Sequence, residues 1–101
     1  VQHPDTIVLV SIVSLWEITI KWRIGKMELS GSSLLGPIDQ AGMQLVTISP
    51  VHLYAVEGLP FRHRDPFDHL ILAQAKVEGA VVITSDEQMA DYGVPCIPAM
   101  R

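Results

Sequence analysis

Ile7-Val8-Leu9-Val10-Ser11-Ile12-Val13-Ser14-Leu15-Trp16-Glu17 is the stretch on which the fold reading turns. Ile7 to Val10 is a short, continuous, mostly β-branched apolar run, which is how a strand buried on both faces reads. Ser11 follows as an N-cap. Helical spacing then puts Val13, Trp16, Ile20 and Ile24 on one face, and Gly25 closes the helix as a residue suited to left-handed backbone.

The same strand-then-helix alternation continues outward. Ser32 to Gln44 reads as a weaker helix, disturbed by Gly36 and Pro37 or begun by Pro37. Leu45 to Ile48 reads as a strand. Ser49-Pro50 is a cap followed by a first-turn proline, opening a short helix to about Glu57. Leu59 to Arg64 is a loop. Asp65-Pro66 repeats the cap-then-proline signal, and a strong helix runs through Lys76 and ends before Gly79. Ala80 to Thr84 is a further buried-type strand, Asp86 to Tyr92 a short helix, and Pro95 to Ile97 a last strand. Strands alternating with helices predict an α/β domain with a mostly parallel sheet, whose site lies outside the carboxyl ends of the strands. The expectation is a single domain over residues 1–101.

Composition sets further bounds. Hydrophobic residues make up 49% of the 101 residues and charged ones 18%, which excludes a disordered chain. A net charge of −4 does not fit a protein that holds nucleic acid by a basic surface, though it leaves room for an enzyme that works through acidic metal ligands. A single cysteine, Cys96, permits no internal disulfide and suits a reducing compartment. The run from Ile7 to Trp16 is shorter than the roughly 20 apolar residues that span a bilayer and lacks the basic leader of a signal peptide. The reading is a soluble, cytoplasmic protein with no membrane association.

The strand-edge rule selects among the eleven acidic residues. Asp86 directly follows the strand ending at Thr84-Ser85; its structural explanation is an N-cap. Glu17 is a carboxylate in an otherwise apolar helix, and Lys21 four residues on gives it a surface ion-pair explanation. Asp65 reads first as an N-cap, and Asp68, in the first turn, is favoured by the helix dipole. Together Glu17, Asp68 and Asp86 offer oxygen ligands from three separate elements. Such donors suit Mg²⁺ or Mn²⁺, and carboxylate-held divalent cations are apparatus for phosphodiester cleavage. Rival constellations are weaker. His63, Asp65 and His69 imitate a mixed metal site, but His63 lies in a loop and His69 on the helix one residue after Asp68. No nucleophile elbow or phosphate loop is present. His3 and His52 read as surface or boundary residues. Trp16, Trp22, Phe61, Phe67 and Tyr92 read as core or interface, and Lys21, Lys26, Arg62 and Arg64 as solvated surface charges that could also touch phosphates.

The motifs also carry a family likeness. Ser11 to Lys21, followed by Gly25-Lys26-Met27-Glu28-Leu29, resembles the second-strand and helix segment of PIN-domain proteins. Leu59-Pro60 and then His63-Arg64-Asp65-Pro66-Phe67-Asp68-His69-Leu70-Ile71-Leu72-Ala73-Gln74-Ala75 resembles the family's second acidic helix. Val82-Ile83-Thr84-Ser85-Asp86, with Tyr92-Gly93-Val94 after it, resembles the last acidic strand end. The likeness covers essentially the whole chain and is similar in detail to VapC-type toxins of bacterial toxin–antitoxin pairs. It implies a three-layer α/β PIN-like fold and a Mg²⁺- or Mn²⁺-dependent endoribonuclease. It also implies a small antitoxin partner and a homodimer. Glu17, Asp68 and Asp86 match the family's second, third and fourth acids. Asp65 matches a position that is acidic in this subgroup, and Thr84 and Ser85 would at most support the ligands from behind. The family begins with a strand that ends in an Asp-Thr pair and lies centrally in the sheet. Asp5-Thr6 imitates that pair but precedes the wrong strand. The resemblance therefore implies that the central first strand and first catalytic Asp are missing from this chain, with Val1 at the edge of a truncation. The alternative reading is a non-catalytic PIN-derived module that keeps antitoxin binding or self-association.

Overall fold

A computed structural model of the protein describes residues 7–60, 65–80, 82–84 and 96–98. The chain forms two compact units, residues 1–47 and 48–101.

In the first unit the apolar run becomes β1 (Leu9–Ser11), paired in parallel with β2 (Gln44–Val46) so that Leu9 faces Gln44 and Ser11 faces Val46. A parallel pair needs a long crossover, and here it contains a helix, a 3-10 turn and a second short helix. Helix α1 (Ile12–Arg23) starts at the expected cap: Ser11 Oγ accepts the Val13 N–H at 3.0 Å. It stops at the expected glycine. Gly25 has φ 81°, its N–H donates to the Trp22 carbonyl, and the Lys26 N–H donates to the Lys21 carbonyl at 2.8 Å. Those paired closing bonds satisfy carbonyls that the helix end would otherwise orphan.

The buried face of α1 differs from the expected one. Val13 and Leu15 are buried, whereas Trp16 is 54% and Ile24 63% exposed. The residues from Ile12 to Trp22 are apolar nearly all round the helix, so periodicity does not choose a face; contacts with β1 and with the 3-10 turn Gly31–Leu34 do. Trp16 and Trp22, expected in a core or an interface, are thus not core residues of the described structure.

The weak helix expected over Ser32–Gln44 is that 3-10 turn followed by α2 (Leu35–Gln40). Pro37 neither begins nor breaks α2. It sits in the first turn, where a missing N–H leaves no intrahelical bond unmade. Gly42, at φ 76°, turns the chain into β2.

The second unit opens with α3 (Pro50–Glu57) and continues with α4 (Pro66–Glu78), which pack on each other. Both begin at the proline the sequence marks. Leu72 and Ala73 are fully buried, with Gln74 and Ala75 beside them. Burying a side chain the size of Leu72 contributes about 1.5–3 kcal/mol. Among the described residues no buried side-chain polar atom lacks a hydrogen bond, Gln74 included. Gly79, at φ 67°, ends α4, and the Ala80 N–H closes back on the Ala75 carbonyl at 2.8 Å. Then β3 (Val82–Thr84) pairs in parallel with β4 (Cys96–Pro98), Val82 facing Cys96. The parallel pairing expected from the sequence is present in both units. The short helix expected over Asp86–Tyr92, and Phe61 and Tyr92, lie outside the described residues.

Candidate active site

Glu17 lies in the second turn of α1, the helix that follows β1 in the chain. Its carboxylate is 31% exposed, and Oε2 lies 3.4 Å from the Lys21 ammonium. An exposed pair of this kind contributes at most a few tenths of a kcal/mol. It neutralises Glu17 locally without locking it, so the carboxylate keeps oxygens free to accept other partners.

Asp65 and Asp68 open α4. Asp65 is the N-cap, its Oδ1 accepting the Phe67 N–H at 2.9 Å, and its backbone carbonyl accepts the His69 N–H at 3.2 Å. The expected capping role is therefore observed. Asp68 is half-buried in the first turn of α4, where the exposed N–H groups of the helix favour a negative charge. Thr84 ends β3. Asp86, Arg62, Arg64 and His63 lie outside the described residues. Glu17 and Lys21 thus belong to the first unit and Asp65, Asp68 and Thr84 to the second. Among the described residues, no three His, Cys, Asp or Glu side chains gather into a group that could hold a metal.

One buried polar residue, paired with an exposed carboxylate, lies outside the sequence expectations. His52, expected at the surface or a boundary, is 2% exposed. It occupies the third position of α3, where its Nδ1 accepts the Ser49 N–H at 3.0 Å and its Nε2 lies 3.4 Å from Glu78 Oε2 on α4. The available signal was the spacing Ser49-Pro50-Val51-His52: a side-chain acceptor three residues after a capping serine can reach back to the cap's N–H, a place usually taken by Glu or Gln.

The alternation of helices with parallel strand pairs agrees with a comparison of the whole sequence. The PIN domain family matches residues 2–95. The chain belongs to the PIN domain family. No curated protein matches the sequence. PIN domains form a nuclease and ribonuclease superfamily whose members act on RNA and generally depend on divalent metal. In this PIN domain the α/β character and parallel strand pairs expected from the sequence are present. No described helix is long and apolar enough to cross a membrane. The donor chemistry of Glu17 and Asp68 suits a hard divalent cation: both are carboxylates, and both are half-buried rather than sealed from solvent.

Proposed function

We propose that this PIN domain is a Mg²⁺- or Mn²⁺-dependent endoribonuclease acting as the toxin of a type II toxin–antitoxin pair in the cytoplasm. The observation that carries the reading is the family match across residues 2–95, with Glu17 on α1 and Asp68 in the first turn of α4 as half-buried carboxylates. Glu17, Asp68 and Asp86 are the carboxylates that would hold the cation. A divalent cation held there supplies polarisation of the attacking water and neutralises charge building on the phosphate oxygens. Asp68, at the start of α4, would hold its charge against the helix N-terminus. Asp65, which caps the same helix, fixes the direction in which that first turn enters the site. Thr84 would support the ligands from behind. Lys21, Arg62 and Arg64 would touch RNA phosphates, and Lys21 would leave Glu17 for a phosphate when RNA is bound. A small antitoxin and a second copy of the chain are the proposed partners; the exposed Trp22, Ile24 and Leu29 supply the apolar surface that such protein contacts need.

A second reading, a non-catalytic module that binds an antitoxin or itself, is favoured by the structural work already done by two carboxylates. Glu17 pairs with Lys21 and Asp65 caps α4. Calorimetric titration with Mn²⁺ and an RNA-cleavage assay separate the two. The nuclease reading expects metal binding and cleavage, with Glu17→Gln, Asp68→Asn and Asp86→Asn each reducing cleavage by about a hundredfold or more, as losses of charge-stabilising groups do. Absence of metal binding, or full activity in those variants, leaves the binding module.

A further inference from the structure

His52 uses both ring nitrogens, and the two uses fix its protonation. Nδ1 takes the Ser49 N–H at 3.0 Å. A backbone N–H can only donate, so Nδ1 carries no proton, and the ring proton of the neutral imidazole sits on Nε2, facing Glu78 Oε2 at 3.4 Å. His52 is 2% exposed, which shields the Ser49 bond, whereas the Glu78 side chain is 40% exposed and open to solvent. Pro50, the next residue, has no N–H to offer. The backbone turn is closed a second time by the His52 N–H, which donates to the Ser49 carbonyl at 3.0 Å.

A second proton can enter this ring only at Nδ1. There it meets the Ser49 N–H, donor against donor, and that bond is lost. The same proton makes the ring a cation beside the Glu78 carboxylate, across the α3–α4 contact. Helix α4 carries Asp68, His69, Lys76 and Glu78, and α3 itself carries Glu57; of these, Glu78 is the group within reach of the ring. Protonation therefore exchanges a bond at the start of α3 for an ion pair to α4. The bond that is lost closes the first turn of α3.

We propose that His52 is a pH-operated latch on the start of α3: neutral, it clamps the Ser49 amide; protonated, it releases that amide and ties α3 to Glu78 instead. The latch uses none of the carboxylates assigned to the proposed metal site, so it stands or falls independently of nuclease activity.

Nuclear magnetic resonance on the full chain tests it. The ring nitrogen shifts report the tautomer and the titration of His52, and hydrogen exchange of the Ser49 amide, corrected for its intrinsic pH dependence, reports the clamp. The expected result is a ring protonated at Nε2 when neutral. As the ring titrates, Ser49 protection then falls about tenfold, the worth of one hydrogen bond, with the same midpoint. In His52→Gln the side-chain oxygen can take the same N–H without titrating, so Ser49 protection becomes independent of pH. In Glu78→Gln the Ser49 change still follows the ring. A neutral ring protonated at Nδ1, or Ser49 protection unchanged while the wild-type ring titrates, overturns the proposal, and the wild-type measurement alone decides it if a variant fails to fold.

Discussion

Gly31 stands where α1 and the 3-10 turn touch. A methyl group there would strike the carbonyl oxygen of Leu15 and the Thr19 hydroxyl. The hydroxyl accepts the Gly31 N–H at 2.9 Å and donates to the Leu15 carbonyl at 2.8 Å. The first obstacle is helix backbone, which cannot turn aside as a flexible side chain would. Gly31→Ala should therefore lower stability by about 2 kcal/mol, in the range of overpacked sites, read as a lower urea midpoint with an unchanged slope. Gly36, in α2, has open space where its Cβ would stand. Gly36→Ala should leave stability unchanged or raise it by up to about 1 kcal/mol, as a helical Gly→Ala change does. A Gly36→Ala loss equal to that of Gly31→Ala would show that close approach to α1 is not the cause. The sequence gives no hint that these glycines differ. Gly31 is constrained by residues twelve and sixteen positions earlier, a tertiary contact that no local pattern encodes. His52 was hidden for a related reason: its capping contact is local and readable, but its burial comes from α4.

The starts and stops of the helices were legible because local hydrogen-bonding chemistry sets them. Ser11, Ser49-Pro50 and Asp65-Pro66 open α1, α3 and α4, and Gly25 and Gly79 close α1 and α4. What local chemistry does not set is which side of an element faces inward. On α1, apolar on nearly every side, the contact with Gly31 and β1 decided it and left Trp16 at the surface. The strands are shorter than their apolar runs, because only residues with a partner across the ladder count as paired. Asp65 offers a test at this scale, since it is both an observed cap and a supporting acid of the proposed site. Asn caps as well as Asp, and Ala does not. Asp65→Ala should cost about 1 kcal/mol of stability, while Asp65→Asn should cost a few tenths at most. If Asp65 acts through the cap alone, Asp65→Asn keeps metal affinity as well. A drop in Mn²⁺ affinity in a stable Asp65→Asn protein would instead make Asp65 a ligand.

The proposed carboxylate set is divided along the chain: Glu17 belongs to the first unit, and Asp68 and Asp86 to the second. A cation shared by all three would link the stabilities of the two units, which gives the proposal a thermodynamic signature separate from RNA cleavage. Both tryptophans, Trp16 and Trp22, lie in the first unit, so tryptophan fluorescence reports the melting of that unit alone. A cation at a hundredfold excess over its dissociation constant stabilises the state that binds it by about 2.7 kcal/mol. If Glu17 shares the cation with Asp68 and Asp86, saturating Mn²⁺ should raise the tryptophan-reported midpoint, and Glu17→Gln and Asp68→Asn should each abolish the rise. Loss in both is decisive because each variant removes a ligand from a different unit. No rise in the tryptophan-reported midpoint, with Mn²⁺ affinity kept in Glu17→Gln but lost in Asp68→Asn, would place the cation in the second unit alone, and with it any chemistry the cation supports. Glu17 would then be a surface partner of Lys21, and the first unit would contribute the binding surface rather than the catalytic one.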